Sequence, residues 1–471
     1  MEKVGILVVS YGARASAIVD AYSRSLKYRT EIYIVDKLKN PFNAKRAAEH
    51  IVIPDLDVTK ICRFAAKRKA NIDFGIVGPE KPIIFGIRDL VEKETNIPII
   101  CPTKRYALEA SKVAQRQLFE DAASVANPRF KVFKPNDYKN KTILKKAVYT
   151  WLSKLGNQVV VKPDRPAAGK GVGVWGDHFK TRQQLFNHFL ANYKHGSVLV
   201  EEKIEGEESS FQALCDGKSL IVLPETRDYK RAFDNDKGPN TGGMGSYKDK
   251  TDLLPFMSIE DREKETEIVN KIFTNLKKRG SGNELRGIPF YVAFMHTGKG
   301  LKILETNSRP GDPEILNILP LLKDDFVDIC FKMIEGNLTR VQVERKASVV
   351  TYKAPPSYGG YISAFPDRVK REDISTPVNL NEAYNLQRES GDTIRVYPAS
   401  MELRDRKIFA HTSRSVAVVG IAETIEDARN LSLKGIRNIE GGGLWNRNDI
   451  ASSKHIQASI EHIEKLRNSS A

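Results

Sequence analysis

Residues 159–174 read VVVKPDRPAAGKGVGV. The β-branched run Val159–Val161 predicts a buried strand that Lys162 ends. Gly169, Gly171 and Gly173 let the backbone turn tightly and bring N–H groups near an anion, while Lys162 and Lys170 add positive charge. The combination suits a polyphosphate. It is not a P-loop, because GxxxxGK[ST] is absent and a strand follows where a helix would be needed; a dinucleotide fingerprint fails for the same reason. Taken alone, the segment reads equally well as a plain β-hairpin turn.

Some thirty residues further on, the apolar strand SVLV runs into Glu201-Glu202-Lys203-Ile204-Glu205-Gly206-Glu207-Glu208. A purine nucleoside needs backbone partners at a strand end, an apolar cover and a carboxylate for its ribose hydroxyls, and this run contains all three. A solvated acidic loop is the competing reading. Residues 234–249 show no periodicity and are expected to form a long Gly/Asn/Asp loop, a length that is usually functional or disordered in a compact domain. Farther on, LKILETN places Glu305 and Asn307 at i and i+2 of a strand, on one face. A carboxylate and an amide oxygen side by side are hard ligands suited to a divalent cation carrying nucleotide phosphates. Arg309-Pro310-Gly311-Asp312-Pro313-Glu314 follows at once, a constrained loop fit either for a charged substrate or for a surface Arg–Asp pair.

Toward the N-terminus the chain alternates short apolar strands (GILVVS, EIYIVD, NIDFGIVG, IPIICPT) with helical segments (ASAIVDAYSRSLK, DLDVTKICRFAAKRKA, IRDLVEKETN). Repeated βα units predict a doubly wound parallel sheet, with ligands beyond its carboxyl ends at Tyr11–Arg14, Asp36 and Gly78–Glu80. A helical pattern then runs from Lys104 to about Gln117, and a long amphipathic helix follows Ser258. From about Val341 the chain is β-rich (KASVVTYKAPP, IRVYPASMEL, RKIFAH, SRSVAVVGIAE) and ends in two helices.

The 471 residues allow three or four lobes of roughly 100–200 residues each. No apolar run reaches ~18 residues, so no membrane span is expected, and GILVVS reads as a first buried strand and not a signal sequence. Four scattered cysteines without a CxxC pair point away from disulfides and structural zinc and toward a reducing cytoplasm. The net charge of +16 is spread along the chain without a nucleic-acid-binding motif, so a nucleic-acid partner is not expected.

The order phosphate loop, acidic segment, glycine-rich loop and E-x-N-x-R-x-G-D-P-E resembles the ATP-grasp superfamily, and within it the phosphoribosylamine–glycine ligases. The carriers are VVVKPDRPAAGKGVGV, VLVEEKIEGEESSFQALCDG, LPETRDYKRAFDNDKGPNTGGMGSY and LETNSRPGDPE, with weaker support from GPEKPIIFGIRDL, CPTKRYALEASK and the C-terminal SRSVAVVGIAETIEDARNLSLKGIRNI with NRNDI. The resemblance implies an α/β chain in three parts. Residues 1–103 would form a pre-ATP-grasp domain. Residues 104–340 would form the ATP-grasp domain, with 131–205 as its smaller nucleotide-covering lobe. Residues 341–471 would form a β-rich domain packing on the first. It also implies ATP as co-substrate, Mg²⁺ or Mn²⁺, glycine and 5-phosphoribosylamine as substrates, and a monomer.

Carried over, Arg116, Lys162, Gly169, Lys170, Gly171, Glu201, Glu202, Ile204 and Glu208 would hold ATP, and Glu305 and Asn307 the metal. Gly12, Arg14, Gly78, Pro79, Glu80, Asn240, Gly242 and Gly243 would line the substrates. Arg309, Asp312, Asp228 and Lys230 would act in catalysis, and the loop 238–245 would close over the site. Three positions depart from the family. Its opening GxGGREHA-like loop reads Ser10-Tyr11-Gly12-Ala13-Arg14-Ala15-Ser16-Ala17; a lysine expected to reach ATP is Arg116, and Arg does not share Lys geometry; the phenylalanine of R-F-G-D-P-E is Pro310. The first departure leaves open a ligase that couples a carboxylate to a different amine. A non-catalytic nucleotide-binding or nucleic-acid-associated protein, supported by charge alone, is the alternative from another class.

Overall fold

A computed structural model describes residues 1–166 and 171–469. Its first sheet is wholly parallel: β1 (Glu2–Val9), β2 (Tyr28–Asp36), β3 (Glu49–Val52), β4 (Phe74–Val77) and β5 (Ile99–Ile100), in the order β3-β2-β1-β4-β5. Val4, Ile6, Leu7, Val8 and Val9 of β1 are all buried, as a strand covered on both faces requires. Val9 is level with Val35 and with Val77, so the turns after β1, β2 and β4 emerge at one edge. The strand order reverses between β1 and β4, which makes that edge the natural ligand crevice. Strand β3 and the short helix Pro41–Arg46 carried no clear pattern in the sequence.

The expected helix from Lys104 is broken. Two short turns, Lys104–Tyr106 and Leu108–Ala110, precede a helix at Lys112–Ala123, because Ser111 is extended and its hydroxyl accepts from Ala114 N. That helix and Ile259–Lys277 supply Leu118, Phe119, Val269, Ile272 and Phe273 to the core of an antiparallel sheet with Phe211, Phe290, Val292, Phe294 and Ile303. The sheet orders Leu220–Val222, Glu207–Asp216, Arg286–Thr297 and Gly300–Asn307. A smaller sheet, Phe130–Phe133, Val198–Glu202, Val159–Pro163 and Gly173–Val174, carries the helices Lys141–Lys154 and Arg182–Tyr193 over its own core.

The predicted long loop at 234–249 is instead largely built. Arg231–Phe233 and Lys237–Asn240 form a hairpin, and Gly245–Lys248 is a strand. Short irregular strands with Gly, Pro and Asn lack the alternation that makes a strand legible. Gly245–Lys248 pairs with Ala347–Ala354, so it and Arg227–Asp228 extend the C-terminal sheet, which continues through Val416–Ala422 to Ile394–Pro398. That sheet meets the first one directly. Ser16 Oγ and Asn40 Nδ2 both donate to Pro398 O, and Arg395 and Tyr397 engage Asp20.

Candidate active site

The two segments expected to hold the nucleotide face each other through the smaller sheet. Val160 lies opposite Glu201, and Lys162 is two residues along the same face, so Lys162 Nζ reaches Glu201 Oε2 at 2.8 Å. Arg116, projecting from the helix Lys112–Ala123, grips the same carboxylate with Nε and Nη2, both at 2.8 Å, and donates to the carbonyls of Ile303 and Leu304. Burial alone would raise the Glu201 carboxyl, but Arg116 and Lys162 outweigh it and hold it at about 2. Arg116 thus fastens a helix, the smaller sheet and the strand of Glu305 together.

This clamp has a measurable consequence. Because the folded Glu201 carboxyl sits below its unfolded value near 4.5, the pairing stabilises fully above that pH and fades as pH falls toward 2. Replacing Arg116 with methionine leaves a buried charge half-paired and is expected to cost about 3 kcal/mol at pH 7. Urea titrations at pH 7 and pH 3 check it: the gap between variant and wild type should shrink at the lower pH.

Glu305 occupies the centre of a ring of cations. Burial pushes its carboxyl up, yet Lys230, Lys162, Lys112 and Arg309 together hold it below the usual range, so it is ionised. Asn307, two residues on, is also buried. Its surroundings assign the amide nitrogen to the side of Glu109 Oε1 and Thr306 O, which it reaches at 3.2 and 2.9 Å once the amide is turned over. Lys230 Nζ bonds Glu208 Oε2 at 2.7 Å. Burial drives the Asp228 carboxyl well up, and Glu314 beside it adds repulsion; burial raises Glu314 as well. Gly243 has φ +99, and a Cβ there would stand 2.3 Å from Asp228 Oδ1 and 2.7 Å from Pro313 Cδ. Only glycine lets the loop lie against these carboxylates.

The crevice of the parallel sheet opens onto the same centre. Arg14 is buried and donates to Pro310 O at 2.9 Å. Gly78 makes room for it: a Cβ there would meet Ser10 Oγ at 2.3 Å and Arg14 Nε at 2.9 Å. Gly12, at φ +78, faces Asp312, and Pro79 is buried ahead of the helix Glu80–Ile84. Arg309 bonds Glu109 at 2.9 Å and approaches Glu80 at 3.6 Å. Burial, with Glu80 and Glu305 nearby, lifts the Glu109 carboxyl to about 7 even against Arg309. Asp312 accepts from Tyr352 Oη at 2.6 Å and pairs with Arg414 at 3.3 Å; burial pushes its carboxyl up, but Arg414 and Arg14 hold it below the usual range.

Other expected residues lie elsewhere. Glu202 accepts from the backbone and guanidinium of Arg129, and Ile204 is half-buried in the link that follows. Asn240 and Gly242 are exposed on the hairpin side. The Gly171 carbonyl is held by His188 and Asn192. Gly169 and Lys170 lie outside the described residues. Glu207, in the acidic run, points away to Arg227 and His462.

Two family descriptions cover most of the chain. Phosphoribosylglycinamide synthetase, N domain, matches residues 4–109, and phosphoribosylglycinamide synthetase, ATP-grasp (A) domain, matches residues 110–315. The chain belongs to the phosphoribosylglycinamide synthetase family. It is 36% identical over 465 residues to the phosphoribosylamine–glycine ligase of Methanocella arvoryzae, covering 98% of this chain and 99% of the relative. With that of Thermococcus kodakarensis it shares 35% over 464 residues, 98% and 99% of the two chains. A solved phosphoribosylamine–glycine ligase from Thermotoga maritima superposes with a TM-score of 0.72 over 95% of this chain and 100% of its own, at 24% identity. The biotin carboxylase domain of a Hydrogenobacter thermophilus 2-oxoglutarate carboxylase shares the fold at a TM-score of 0.64 and 16% identity, over 98% and 95% of the two chains.

Within this family frame, three residues of the cluster were given no role from the sequence. Lys112 and Glu109 belong to the ALEASK segment, so a motif marked both. Arg414 lies in SRSVAVVGIAE, just ahead of the strand Val416–Ala422, but the carbonyls it donates to, those of Gly242, Gly243 and Asp312, join only in three dimensions.

Proposed function

We propose that the chain joins glycine to 5-phosphoribosylamine at the expense of ATP, giving glycinamide ribonucleotide, ADP and phosphate, as a step of purine synthesis. The observation that carries the site assignment is the ionised Glu305 ringed by Lys112, Lys162, Lys230 and Arg309. The γ-phosphoryl group passes to the glycine carboxylate. The amine then attacks the carbonyl carbon of the acyl phosphate, a C–N bond forms, phosphate leaves with the C–O bond electrons, and the amine loses a proton. Such chemistry is done by positioning and charge neutralisation. Lys162 and Lys112 would neutralise phosphate oxygens, while Arg309, Arg14 and Asp312 would orient the substrates at the crevice between β1 and β4.

The family's reaction uses a divalent cation. Among the described residues no cluster of three or more His, Cys, Asp or Glu is arranged to bind one alone. The donors present nonetheless fit a cation shared with a nucleotide: Glu305 is ionised, and Asn307 sits two residues along the same strand with an amide oxygen as a second hard donor. Mg²⁺ or Mn²⁺ held there would neutralise charge on the transferring phosphoryl group. We further propose working units of 1–103, 104–340 (with 131–205 as the nucleotide-covering lobe) and 341–471, a monomer, and a cytoplasmic setting. Among the described residues no helix is long and apolar enough to cross a membrane.

ADP release tests the reading. It should require both glycine and 5-phosphoribosylamine and yield glycinamide ribonucleotide. Because Tyr11–Ala17 departs from the family pattern, the amine is varied at fixed glycine; turnover with another amine and none with phosphoribosylamine would overturn the substrate assignment.

A further inference from the structure

The glycine-rich hairpin is strapped to the far end of the chain by one arginine. The Arg447 side chain is fully buried. Its Nε and Nη2 bind both oxygens of Asp449, at 2.8 and 2.7 Å, and its Nη1 reaches across to the hairpin, donating to Arg231 O at 2.9 Å and Asp236 Oδ1 at 3.0 Å. The guanidinium lies over the Tyr229 ring, 5.2 Å from its centroid. Two backbone bonds run alongside: Asn448 N donates to Asp234 Oδ1 at 2.9 Å, and Asn235 N donates to Asp449 Oδ2 at 2.8 Å. His455 pairs with the second Asp236 oxygen at 2.9 Å. Asn235 and Asp236 themselves adopt positive φ, 59° and 50°, a tight turn that these bonds hold in place.

What this strap fixes is the base of the segment that meets the reacting groups. Lys230 bonds Glu208 and stands beside Glu305 and Asp228. Thr241 N returns to Lys230 O at 2.7 Å, and Gly243 lies against Asp228. From the same strand Arg231 pairs with Asp177 of the turn following the phosphate hairpin. The strap therefore ties together two neighbours, the carboxylate-lined pocket and the sheet that bears Lys162.

We infer that Arg447 is a positioning residue for ligation, acting through the 231–243 hairpin to keep water from the acyl phosphate until the amine attacks. The inference rests on the glycine ligase reading above. With the hairpin loosened, water adds to the acyl carbonyl, phosphate leaves, and glycine is regenerated, so ATP is consumed without an amide being formed. An arginine suits the task because a single planar fork serves two carboxylates and a carbonyl together, which an ammonium does not.

The test is the ratio of ADP released to glycinamide ribonucleotide formed, measured on the full chain with both substrates present. Wild type should give one ADP per product. Asp236→Ala, at a half-exposed carboxylate, and Arg447→Lys, which keeps the charge and loses the fork, should each raise the ratio about fivefold or more, with the KM for ATP close to wild type when assayed below the variant's melting midpoint. A merely structural role would lower the amount of active enzyme and leave the ratio at one. If Arg447→Lys fails to fold, Asp236→Ala decides. Tight coupling in the folded Asp236→Ala protein overturns the inference. Failure of the underlying reading shows separately, as wild-type ADP release indifferent to the amine.

Discussion

Replacing Glu305 with glutamine is expected to lower kcat/KM for ligation about 10³-fold, equivalent to about 4 kcal/mol of transition-state stabilisation. The side chain keeps its size and both heavy atoms at its tip, so packing is preserved, and the loss is one of charge. In the wild type that charge balances Lys230, Lys162, Lys112 and Arg309 around a buried point. Without it the proposed Glu305–Asn307 pair has no anionic ligand for a divalent cation, and the lysines repel one another in the proposed phosphate site. The assay is ADP release across a range of Mg²⁺ concentrations. The defect should be partly relieved at high Mg²⁺ if metal affinity is the cause. Near-normal turnover at ordinary Mg²⁺ would remove Glu305 from the metal site.

The sequence exposed the parts of this centre that lie on regular strands and concealed those that depend on chain crossing. Glu305 and Asn307 were legible because strand periodicity puts i and i+2 on one face, and Lys162 and Glu201 because charges close apolar strands; the structure puts Lys162, Glu201 and Glu305 within one charged neighbourhood. The roles read for Glu201 and Arg116 were less complete. A run of glutamates after an apolar strand does not show that one of them is locked beneath a helix, since that requires knowing that 116 and 201 meet. The hairpin at 231–240 was hidden for a different reason: its strands are three and four residues long, the second interrupted by Gly and Pro, and it holds its shape through Arg447, more than two hundred residues away. In the parallel sheet, by contrast, six buried positions in a row made β1 unmistakable.

Replacing Arg309 with alanine is expected to reduce kcat/KM for the amine on the order of 10³-fold while leaving the KM for ATP within a few-fold of wild type. Arg309 stands between Glu80, at the mouth of the parallel-sheet crevice, and Glu109, next to Asn307. Burial penalises both carboxylates, and Glu109 sits at about 7 even with the guanidinium 2.9 Å away. Without that cation both carboxyls shift upward and tend to take up protons at neutral pH. The crevice thereby loses its fixed charge pattern. The nucleotide side, fastened by Arg116, Glu201 and Lys162, shares none of these contacts. Arg309→Lys restores the charge but not the two-sided reach, so it should recover only part of the activity. Separate titrations of ATP and of the amine distinguish the cases, and an equal loss of nucleotide affinity would move Arg309 from the substrate crevice to the ATP site.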